Sequence, residues 1–583
     1  MAQGENPQRV CLNGQWLFRA DPNDVGEKEA WYVQTADPAD WRSIVVPVQW
    51  EAKGHEGYDG AAWYRRTFEL PDDDFSSWGM CIGGVDHTCK AWLNGVPVAS
   101  HDHPDRRFAF NIGAAARPGT NTVCIRVWDD GGPGGLLRAV RLGKYSGIGE
   151  LLRGEHFGTK ARVSADWVRD AVIYEVYLRS FSPGGDFKGL EKRLGELKQM
   201  GVTVIWLMPI HPVGEKKRKG ALGSPYSVRD YYAVNPEFGS MEDFRSLLSA
   251  AHDHGLKIII DFVANHTAWD CELIREHPDW YVHDDAGEIR SPVPEWSDVA
   301  DLDYARPEVR QYMKEVMLYW VRDVGIDGFR CDVAGMLPSD FWREVRRELD
   351  RIKLVMMIAE DDEPQQHLEA FDVTYDWATY YSLEELGSGD VRAKDMAVIL
   401  RDEGLDFPRD SLRMRFSSNH DTCAWRKAAV SRYGVAGARA AAVLSFALPG
   451  VPLIYNGQEA GNKVNLKLFE RVLVDWSRDD ERMRELYTSL ARLRRERVSF
   501  RRGTAQVLNV KAGPHVLALS RRCEQDETVV LINFANAPQQ LVLDEAITDS
   551  LKPLFGTAVV EQTEDGRLLR LPALGYWIAA GDR

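Results

Sequence analysis

Short apolar runs alternate with amphipathic stretches from about residue 167 to residue 500. The runs have the length of buried strands, and the segments between them, such as PEVRQYMKEVMLYWVRDVG, repeat apolar residues with a helical period. Strand–helix alternation indicates a parallel sheet, and eight units favour a closed (β/α)8 TIM barrel. The runner-up is an open doubly wound sheet, which usually has fewer strands and a G-x-G-x-x-G turn after the first one. The eight runs are AVIYEVYL, VTVIWLMPI, LKIIIDFVA, IDGFRCDVA, LVMMIAE, FDVTYDW, LRMRFSSNH and VPLIYNG.

Both ends of the chain have a different pattern. Strand-like runs such as WYRRTFEL, separated by turn signals such as LNG and RPGTN, fill the first part of the chain. Helical patterns stop again near residue 500, where HVLALS and TVVLINF indicate strands. The predicted fold class is therefore α/β, with a TIM barrel flanked by an N-terminal β-sandwich and a C-terminal antiparallel β-sandwich. We predict domains at residues 1–150, 151–499 and 500–583.

Charge and cysteine content exclude several classes of protein. A net charge of −16 repels the phosphates of nucleic acid and anionic lipid, so neither is an expected partner. No apolar run reaches the roughly 18 residues of a membrane span. The start, MAQGENPQRV, has no apolar secretion segment, which predicts a cytoplasmic protein unless a signal has been removed. The eight cysteines are scattered without C-x-x-C spacing, so we expect free, mostly buried thiols, with a bridge among the first four left open.

Charged side chains stand where four of the apolar runs end. These ends read DFVANHT, DGFRCDV, IAEDDEP and SSNHDT. Because the carboxyl ends of barrel strands build the active site, Asp332, Glu360 and Asp421 should converge on one mouth. Residues i and i+2 of a strand share a face, so Arg330 should lie beside Asp332 and favour its charged form. Asp327 lies on the opposite face and is expected to be structural.

These carboxylates suit one kind of chemistry. Glu360, partly desolvated near other carboxylates, should hold its proton more strongly than Asp332 does. An ionised carboxylate beside a protonated carboxyl, about 5–5.5 Å apart, is the arrangement for retaining glycoside hydrolysis. Alternatively, each charge could belong to a structural ion pair. This explanation is less favoured because four strand ends carry such residues together.

Four segments, DFVANHT, GIDGFRCDVA, IAE and FSSNHD, closely resemble the motifs of the α-amylase family of retaining glycoside hydrolases, over roughly residues 167–500. The resemblance implies Asp332 as nucleophile, Glu360 as general acid/base and Asp421 as transition-state stabiliser. The segment GSPYSVRDYY resembles the one whose aromatic residue stacks under the sugar at the cleavage point. The implied substrate-binding residues are Tyr226, His266, Arg330 and His420.

The chain departs from the family pattern in three places. The segment SFSPGGDFKG after the first strand is short and poor in calcium ligands, and calcium needs six or more oxygens. We predict no required cofactor and no metal site, although Asn265 and Asp301 match calcium-binding positions of classical amylases and leave calcium open. Gly335 and Met336 stand where the family often has Lys-His, and DDEP follows Glu360 in place of a tryptophan-containing segment.

The N-terminal region has a resemblance of its own. WYRRTFELP, GGVDHTCKAWLNG and RPGTNTVCIRV are similar to the sugar-binding jelly roll of β-galactosidase-type enzymes. This implies either carbohydrate binding or an architectural role, of which we favour the second. A domain in this place is typical of the neopullulanase and cyclomaltodextrinase branch of the family, although that branch usually carries a different sandwich.

The sequence thus predicts an enzyme that hydrolyses α-1,4-glucosidic bonds in maltooligosaccharides, cyclodextrins or related short α-glucans, with retention. An α-glucan transglycosylase using the same residues is the nearest alternative. A non-catalytic carbohydrate-binding protein is a remote one, because such relatives typically lose one of the three carboxylates. The predicted partner is the α-glucan oligosaccharide, and homodimer formation is left open.

Overall fold

The computed structural model describes residues 9–33, 40–55, 57–85, 88–101, 107–129, 134–387, 389, 391–477, 482–524, 526–543, 551–563 and 566–582. These residues divide into two compact units. One comprises the described chain up to Phe157 together with Arg401–Asp406, and the other comprises Gly158–Leu400 and the chain from Phe407 onward. Within these ranges, no helix is both long and apolar enough to cross a bilayer.

The first unit contains two antiparallel sheets around an apolar core. Its strands are β1 (Arg9–Cys11), β2 (Gly14–Asp21), β3 (Arg42–Val46), β4 (Val48–Gln49), β5 (Gly60–Leu70), β6 (Trp78–Ile82), β7 (Thr88–Leu93), β8 (Val96–His101), β9 (Phe108–Asn111), β10 (Gly119–Asp129), β11 (Gly135–Leu136) and β12 (Val140–Lys144). One sheet has the order β3-β2-β5-β10-β7-β8 and the other the order β1-β12-β6-β9. Alternate residues such as Trp16, Met80 and Ile125 are buried in a cluster to which both sheets contribute. The predicted N-terminal β-sandwich is confirmed.

The second unit contains a closed parallel barrel. Its strands are β13 (Ile173–Val176), β14 (Val204–Leu207), β15 (Lys257–Phe262), β16 (His266–Ala268), β17 (Val299–Asp301), β18 (Gly328–Cys331), β19 (Met356–Ala359), β20 (Val373–Tyr375), β21 (Leu412–Arg415) and β22 (Val451–Tyr455). All of them except β16 and β17, which pair as a separate ribbon, close the barrel in chain order. Each of the eight predicted apolar runs contains one barrel strand, so the TIM-barrel prediction is confirmed.

Helices of the second unit connect the barrel strands and cover them, whereas the short helix Ile148–Leu151 belongs to the first unit. The helices are α1 (Ile148–Leu151), α2 (Asp166–Arg169), α3 (Leu178–Phe181), α4 (Phe187–Glu191), α5 (Leu194–Met200), α6 (Met241–Asp253), α7 (Glu272–Glu276), α8 (Pro307–Tyr319), α9 (Ser339–Ile352), α10 (Gln366–Glu369), α11 (Trp377–Glu384), α12 (Ala393–Asp406), α13 (His420–Trp425), α14 (Ala429–Ala447), α15 (Met483–Glu496) and α16 (Val498–Arg502). α6 begins at a capping box of Ser240 and Asp243, and α8 begins at a proline. Buried residues at helical spacing, such as Phe244 and Leu248 of α6, pack against the outside of the strands.

A close approach between β18 and β19 sets the position of the fourth strand. Gly328 has φ +152, and a Cβ there would lie 2.0 Å from the backbone oxygen of Met356. Only glycine fits this contact without displacing the neighbouring strand. The glycine therefore fixes where β18 lies, and Arg330 and Asp332 follow on the same face.

The chain after the barrel forms two more antiparallel sheets. Their strands are β23 (Thr504–Val507), β24 (Val516–Arg522), β25 (Asp526–Asn533), β26 (Gln539–Leu543), β27 (Lys552–Gly556), β28 (Val559–Thr563), β29 (Gly566–Leu571) and β30 (Tyr576–Asp582). The orders are β23-β24-β25-β30-β27 and β26-β29-β28. The sandwich packs on the barrel helix α14, where the Arg521 guanidinium donates a 2.6 Å hydrogen bond to the carbonyl of Ala447. The predicted C-terminal sandwich is confirmed, whereas the three domain bounds stay a prediction.

All eight cysteines lie in the described residues, and all are free thiols. Six are buried, Cys523 is half-buried and Cys11 is exposed. Burial raises the pKa of the Cys89 thiol to about 12, which keeps it protonated and unreactive. The disulfide that the sequence left open among the first four cysteines is not formed.

Candidate active site

A cavity of about 490 Å³ opens where the barrel strands end. Asp332 and Glu360 lie one residue beyond β18 and β19, and Asp421 follows β21. The cavity therefore brings together side chains that are far apart in the chain. Its wall contains six of the seven predicted site residues, namely Tyr226, His266, Asp332, Glu360, His420 and Asp421.

The seventh, Arg330, is fully buried and joins the carboxylates. Its Nη1 donates 2.8 Å hydrogen bonds to Oδ1 of Asp261 and to Oδ1 of Asp332. Its Nη2 lies 2.8 Å from Oε2 of Glu360, and its Nε donates to the Tyr375 hydroxyl at 3.1 Å. Asp332 and Glu360, from neighbouring strands, thus meet around one guanidinium. This pairing explains how a buried strand accommodates charge.

Burial raises the pKa of both carboxyl groups, and that of Glu360 ends higher than that of Asp332. It raises the pKa of Asp332 to about 6, with the Arg330 charge opposing the rise. It raises the pKa of Glu360 to about 7, again against Arg330 and with the Asp332 charge adding to the rise. Near pH 6.5, between these two values, Asp332 is mostly ionised and Glu360 is mostly protonated. The site can therefore present one nucleophilic carboxylate and one acid at the same time.

A strained backbone residue holds Glu360. Val333 directly follows Asp332 and has φ +40, a left-handed conformation that is unusual for a β-branched residue. Its backbone amide donates a 2.7 Å hydrogen bond to Oε2 of Glu360. Arg330 also contacts Oε2. The other oxygen, Oε1, is thus the one that is left to carry an exchangeable proton.

The third carboxylate lies at the start of α13. Oδ2 of Asp421 lies 3.2 Å from Nε2 of His420. Burial alone would raise the pKa of Asp421. The charge and the hydrogen bond of His420, and to a smaller extent the charge of Arg330, instead hold this pKa below its ordinary value. Trp425 also donates a hydrogen bond to Asp421. Asp421 is therefore an ionised carboxylate at the cavity wall.

Tyr226 and His266 also line the cavity. The Tyr226 hydroxyl donates to Oδ2 of Asp261 at 3.1 Å and lies 2.7 Å from Nε2 of His420. Burial lowers the pKa of His266 to about 4, so this imidazole is neutral at physiological pH. Its ring centroid lies 5.6 Å from that of Trp296. All the predicted site residues thus lie at one cavity or directly beneath it.

Residues that the sequence did not single out complete the wall. Trp425 is 63% exposed and packs edge-on against Phe469 at 5.6 Å, which gives a flat apolar surface. Lys219 and Asp298 form a 2.9 Å ion pair in the same wall. Trp425 ends the short helix α13, and the other three residues lie in irregular loops, where no periodic pattern marks a side chain as facing the cavity.

Asn265 directly precedes β16, and Asp301 ends β17. Asp301 pairs with His266 across the ribbon of β16 and β17, and the backbone carbonyl of Asn265 accepts a hydrogen bond from Leu302. The Arg290 guanidinium lies 3.8 Å from the Asp301 carboxylate. The described residues hold no group of three or more acidic, histidine or cysteine side chains that would suit a metal ion. A positive side chain beside a single carboxylate does not fit a calcium site, which needs six or more oxygens.

Comparisons with known proteins match this picture. A family model described as alpha amylase, catalytic domain, matches residues 158–503. The chain is 30% identical over 396 residues to an alpha-amylase, MalA, from Haloarcula japonica. This alignment covers 64% of this chain and 56% of that protein. It is 29% identical over 331 residues to a 4-alpha-glucanotransferase from Thermotoga neapolitana, covering 50% of this chain and 72% of that protein. The crystal structure of the noncanonic maltogenic alpha-amylase AmyB from Thermotoga neapolitana superposes with a TM-score of 0.64 at 30% identity, over 71% of this chain and 99% of that one.

The matches have clear limits along the chain. The chain spans little more than half the length of the MalA relative, 56%. The family match begins at residue 158 and includes every barrel strand from β13 to β22. The jelly-roll resemblance of the N-terminal region therefore stays a prediction.

Proposed function

Because the chain belongs to the α-amylase family, as its motifs predicted, we propose that it is a retaining glycoside hydrolase. Its substrates are maltooligosaccharides, cyclodextrins or related short α-glucans, cleaved at α-1,4 bonds. The observation that carries the proposal is the shared guanidinium of Arg330, which brings Asp332 and Glu360 together. A retaining mechanism needs these two groups about 5–5.5 Å apart.

In the first step, a carboxylate oxygen of Asp332 attacks the anomeric carbon of the sugar and forms a covalent glycosyl ester. Glu360 gives its proton to the leaving glycosidic oxygen, so that the departing sugar leaves as a neutral alcohol. The pKa of about 7 keeps that proton available near neutral pH. The Arg330 charge opposes the rise in pKa that burial causes at Asp332, so that this carboxyl group is ionised above about pH 6.

In the second step, ionised Glu360 removes a proton from water, and the water oxygen attacks the same carbon. The bond to Asp332 breaks, and the product keeps the α configuration. Asp421 contacts the sugar hydroxyls, and its charge stabilises the oxocarbenium-like state. Tyr226 presents its ring to the sugar, as an apolar ring face suits the apolar face of a pyranose.

A substrate panel tests the proposal. The purified chain is incubated with maltose, maltotriose, cyclodextrins, pullulan, starch and trehalose, and the products are separated by chromatography. We expect cleavage of at least one α-1,4 substrate, with the α-anomer as first product by proton NMR. Folded protein that leaves every sugar intact would contradict the proposal and favour a carbohydrate-binding role.

Chemical rescue tests the separate roles of the two carboxyl groups. Asp332→Ala should reduce kcat by a factor on the order of 10⁴ or more, as expected when a covalent nucleophile is removed. Azide should restore turnover of this variant on an α-glucosyl fluoride and give the β-glucosyl azide, because one displacement inverts the centre. Azide with Glu360→Ala should instead give the α-azide, after two displacements. The same product from both variants would contradict the assignment.

Transfer to a second sugar is the alternative that a specific observation favours, because the 4-alpha-glucanotransferase from Thermotoga neapolitana is among the matched proteins. Transfer uses the same glycosyl ester and replaces water with a sugar hydroxyl. With concentrated maltotriose, a hydrolase gives mainly maltose and glucose, whereas a transferase gives longer sugars. We expect mainly shorter products.

We also propose a reducing compartment, the cytoplasm, because the cysteines are free thiols and mostly buried. Whether the protein acts as a monomer or as the homodimer that the sequence left open is decided by sedimentation at assay concentration. A single species at the mass of one 66.0 kDa chain would exclude the dimer.

A further inference from the structure

Glu175 is a buried carboxylate behind the cavity wall, in contact with His420, and it has no part in the steps above. It lies in β13, between Trp206 of β14 and Tyr455 of β22, and none of its surface is exposed. Its Oε1 lies 2.5 Å from Nδ1 of His420. Its Oε2 has no hydrogen-bond partner among the described residues. An uncompensated carboxylate at this depth is costly, so its contact with His420 requires an explanation.

Hydrogen-bond directions around His420 define its protonation. The Tyr226 hydroxyl donates its one proton to Asp261, so toward Nε2 of His420 it can only accept, at 2.7 Å. Nε2 therefore carries a hydrogen. On the other side of the ring, burial raises the pKa of Glu175, and the charge and hydrogen bond of His420, with the charge of Arg330, oppose that rise. The carboxylate, held ionised in this way, accepts from Nδ1. Both nitrogens then carry hydrogens, which is the imidazolium form.

The surroundings support a positive charge on the ring. His420 stands between two carboxylates, with Glu175 on Nδ1 and Asp421 at 3.2 Å from Nε2. Burial alone would lower the pKa of His420, but these two charges hold it well above its ordinary value. The other titratable groups that face Glu175 or His420 come from several strands and from α13; they are Asp261, Arg330, Tyr375, Tyr455, Tyr226 and Cys423. Of these, only Arg330 carries a positive charge, and Asp261 and Asp332 are hydrogen-bonded to it.

We propose that Glu175 is a positioning residue that keeps His420 doubly protonated and its Nε2–H directed at Asp421 and the bound sugar. The inference rests on the proposed hydrolysis and adds to it a residue beneath the sugar-contacting layer. Without the Glu175 charge, His420 can lose a proton at neutral pH. An unprotonated Nε2 would face the Asp421 carboxylate with a lone pair, and the two would repel each other.

Glu175→Gln tests this, because glutamine keeps the shape of the side chain and removes its charge. The pKa of His420 should then fall toward its ordinary value of about 6.5. In the wild type, one group, Glu360, must keep its proton, so log kcat/KM should fall with a slope of −1 above neutral pH. In Glu175→Gln two groups must keep protons, and the slope should approach −2. At pH 8, which is about 1.5 units above that pKa, only about 3% of the His420 rings keep both protons, so kcat/KM should be about 30-fold below that of the wild type, with most of the loss in kcat.

Glu459→Gln is the matched control. Glu459 is also a buried glutamate of this barrel, hydrogen-bonded to the Tyr174 hydroxyl and to the Gly457 amide, at 3.0 Å for the amide. Its replacement should cost similar stability and leave the slope at −1. In a His420→Asn background, Glu175→Gln should have no further effect on the pH profile, because the residue through which it acts is gone.

The outcomes separate this inference from the proposed function. A wild type that cleaves α-glucans, with a Glu175→Gln profile that is parallel to it, would overturn the inference alone. A wild type that cleaves nothing would overturn the proposed hydrolysis. If Glu175→Gln does not fold, ¹⁵N-histidine NMR of the wild type decides, with His420→Asn to assign the signal. An imidazolium spectrum at pH 8 supports the inference, and a neutral ring at pH 7 overturns it.

Discussion

The backbone amide of Val333 donates a 2.7 Å hydrogen bond to Oε2 of Glu360. Val333 does so with φ +40, in a region that costs a non-glycine residue on the order of 1–3 kcal/mol. The backbone is thus strained directly after Asp332, and the strained residue provides a fixed hydrogen-bond donor to the neighbouring carboxyl group. The proposed nucleophile and the proposed acid are linked by backbone as well as by the Arg330 side chain.

This strain predicts a reversed order of stability for two substitutions. Both Val333→Gly and Val333→Ala remove the valine side chain, but only glycine has no Cβ to clash at positive φ. We expect the glycine variant to have the higher free energy of unfolding, by about 1 kcal/mol, in urea titrations. The same pair at Val316, buried within helix α8, should show alanine above glycine by about 1 kcal/mol. Alanine above glycine at both positions would mean that Val333 is not strained.

The two pKa values predict a narrow pH optimum. Asp332 must be ionised to attack, so activity should be lost as the pH falls through about 6. Glu360 must be protonated, so activity should be lost as the pH rises through about 7. A plot of kcat/KM against pH should therefore be bell-shaped, with its maximum between pH 6 and pH 7. A maximum above pH 8 would contradict the assignment of the acid.

The raised pKa of Asp332 also predicts that the site costs stability. Folding favours the protonated form, so this group stabilises the protein fully below its unfolded pKa of about 3.9, and the contribution is lost as the pH rises through about 6. Asparagine does not ionise and should avoid that loss. Asp332→Asn should thus have the same melting temperature as the wild type at pH 4 and a higher one at pH 8, where the gain is about 2–3 kcal/mol.

Asp376→Asn provides the opposite case. Burial would raise the pKa of Asp376, but Arg415 and Arg413 lower it below its ordinary value. This carboxylate stabilises the protein above its unfolded pKa of about 3.9, so asparagine should lower the melting temperature at pH 8. If Asp332→Asn and Asp376→Asn both lower the melting temperature at pH 8, the ionised form of Asp332 does not destabilise the folded protein, which would contradict its raised pKa.

Much of the fold could be predicted because barrel strands are short apolar runs buried on both faces. The i, i+2 spacing also indicated that Arg330 and Asp332 would touch, and they do, at 2.8 Å. Asp327, on the opposite face, contacts Lys257 and the ring of His252, consistent with the structural role expected of it.

Other features of the site could not be predicted so readily. Glu175 has a usable signal, a charge within the apolar run AVIYEVYL, but a charge inside a run, unlike one at its end, does not mark the carboxyl mouth of a barrel. Trp296 lines the cavity from a loop and Trp425 from the end of the short helix α13, where the path of the chain depends on tertiary packing rather than on periodicity. The positive φ of Val333 also has no signature in the residue type, since valine usually avoids that conformation.

Calcium binding at Asn265 and Asp301 was left open by the sequence. Arg290 lies 3.8 Å from Asp301, so a bound cation would meet a positive side chain there. We expect the melting temperature and kcat to be unchanged after dialysis against EDTA and after calcium is added back, because a ligand that binds the folded state would raise stability. Arg290→Gln removes the competing charge, and calcium should stabilise this variant if it stabilises either protein. A wild type that loses stability in EDTA and recovers it with calcium, but not with magnesium, would show that the ribbon of β16 and β17 holds a metal despite Arg290.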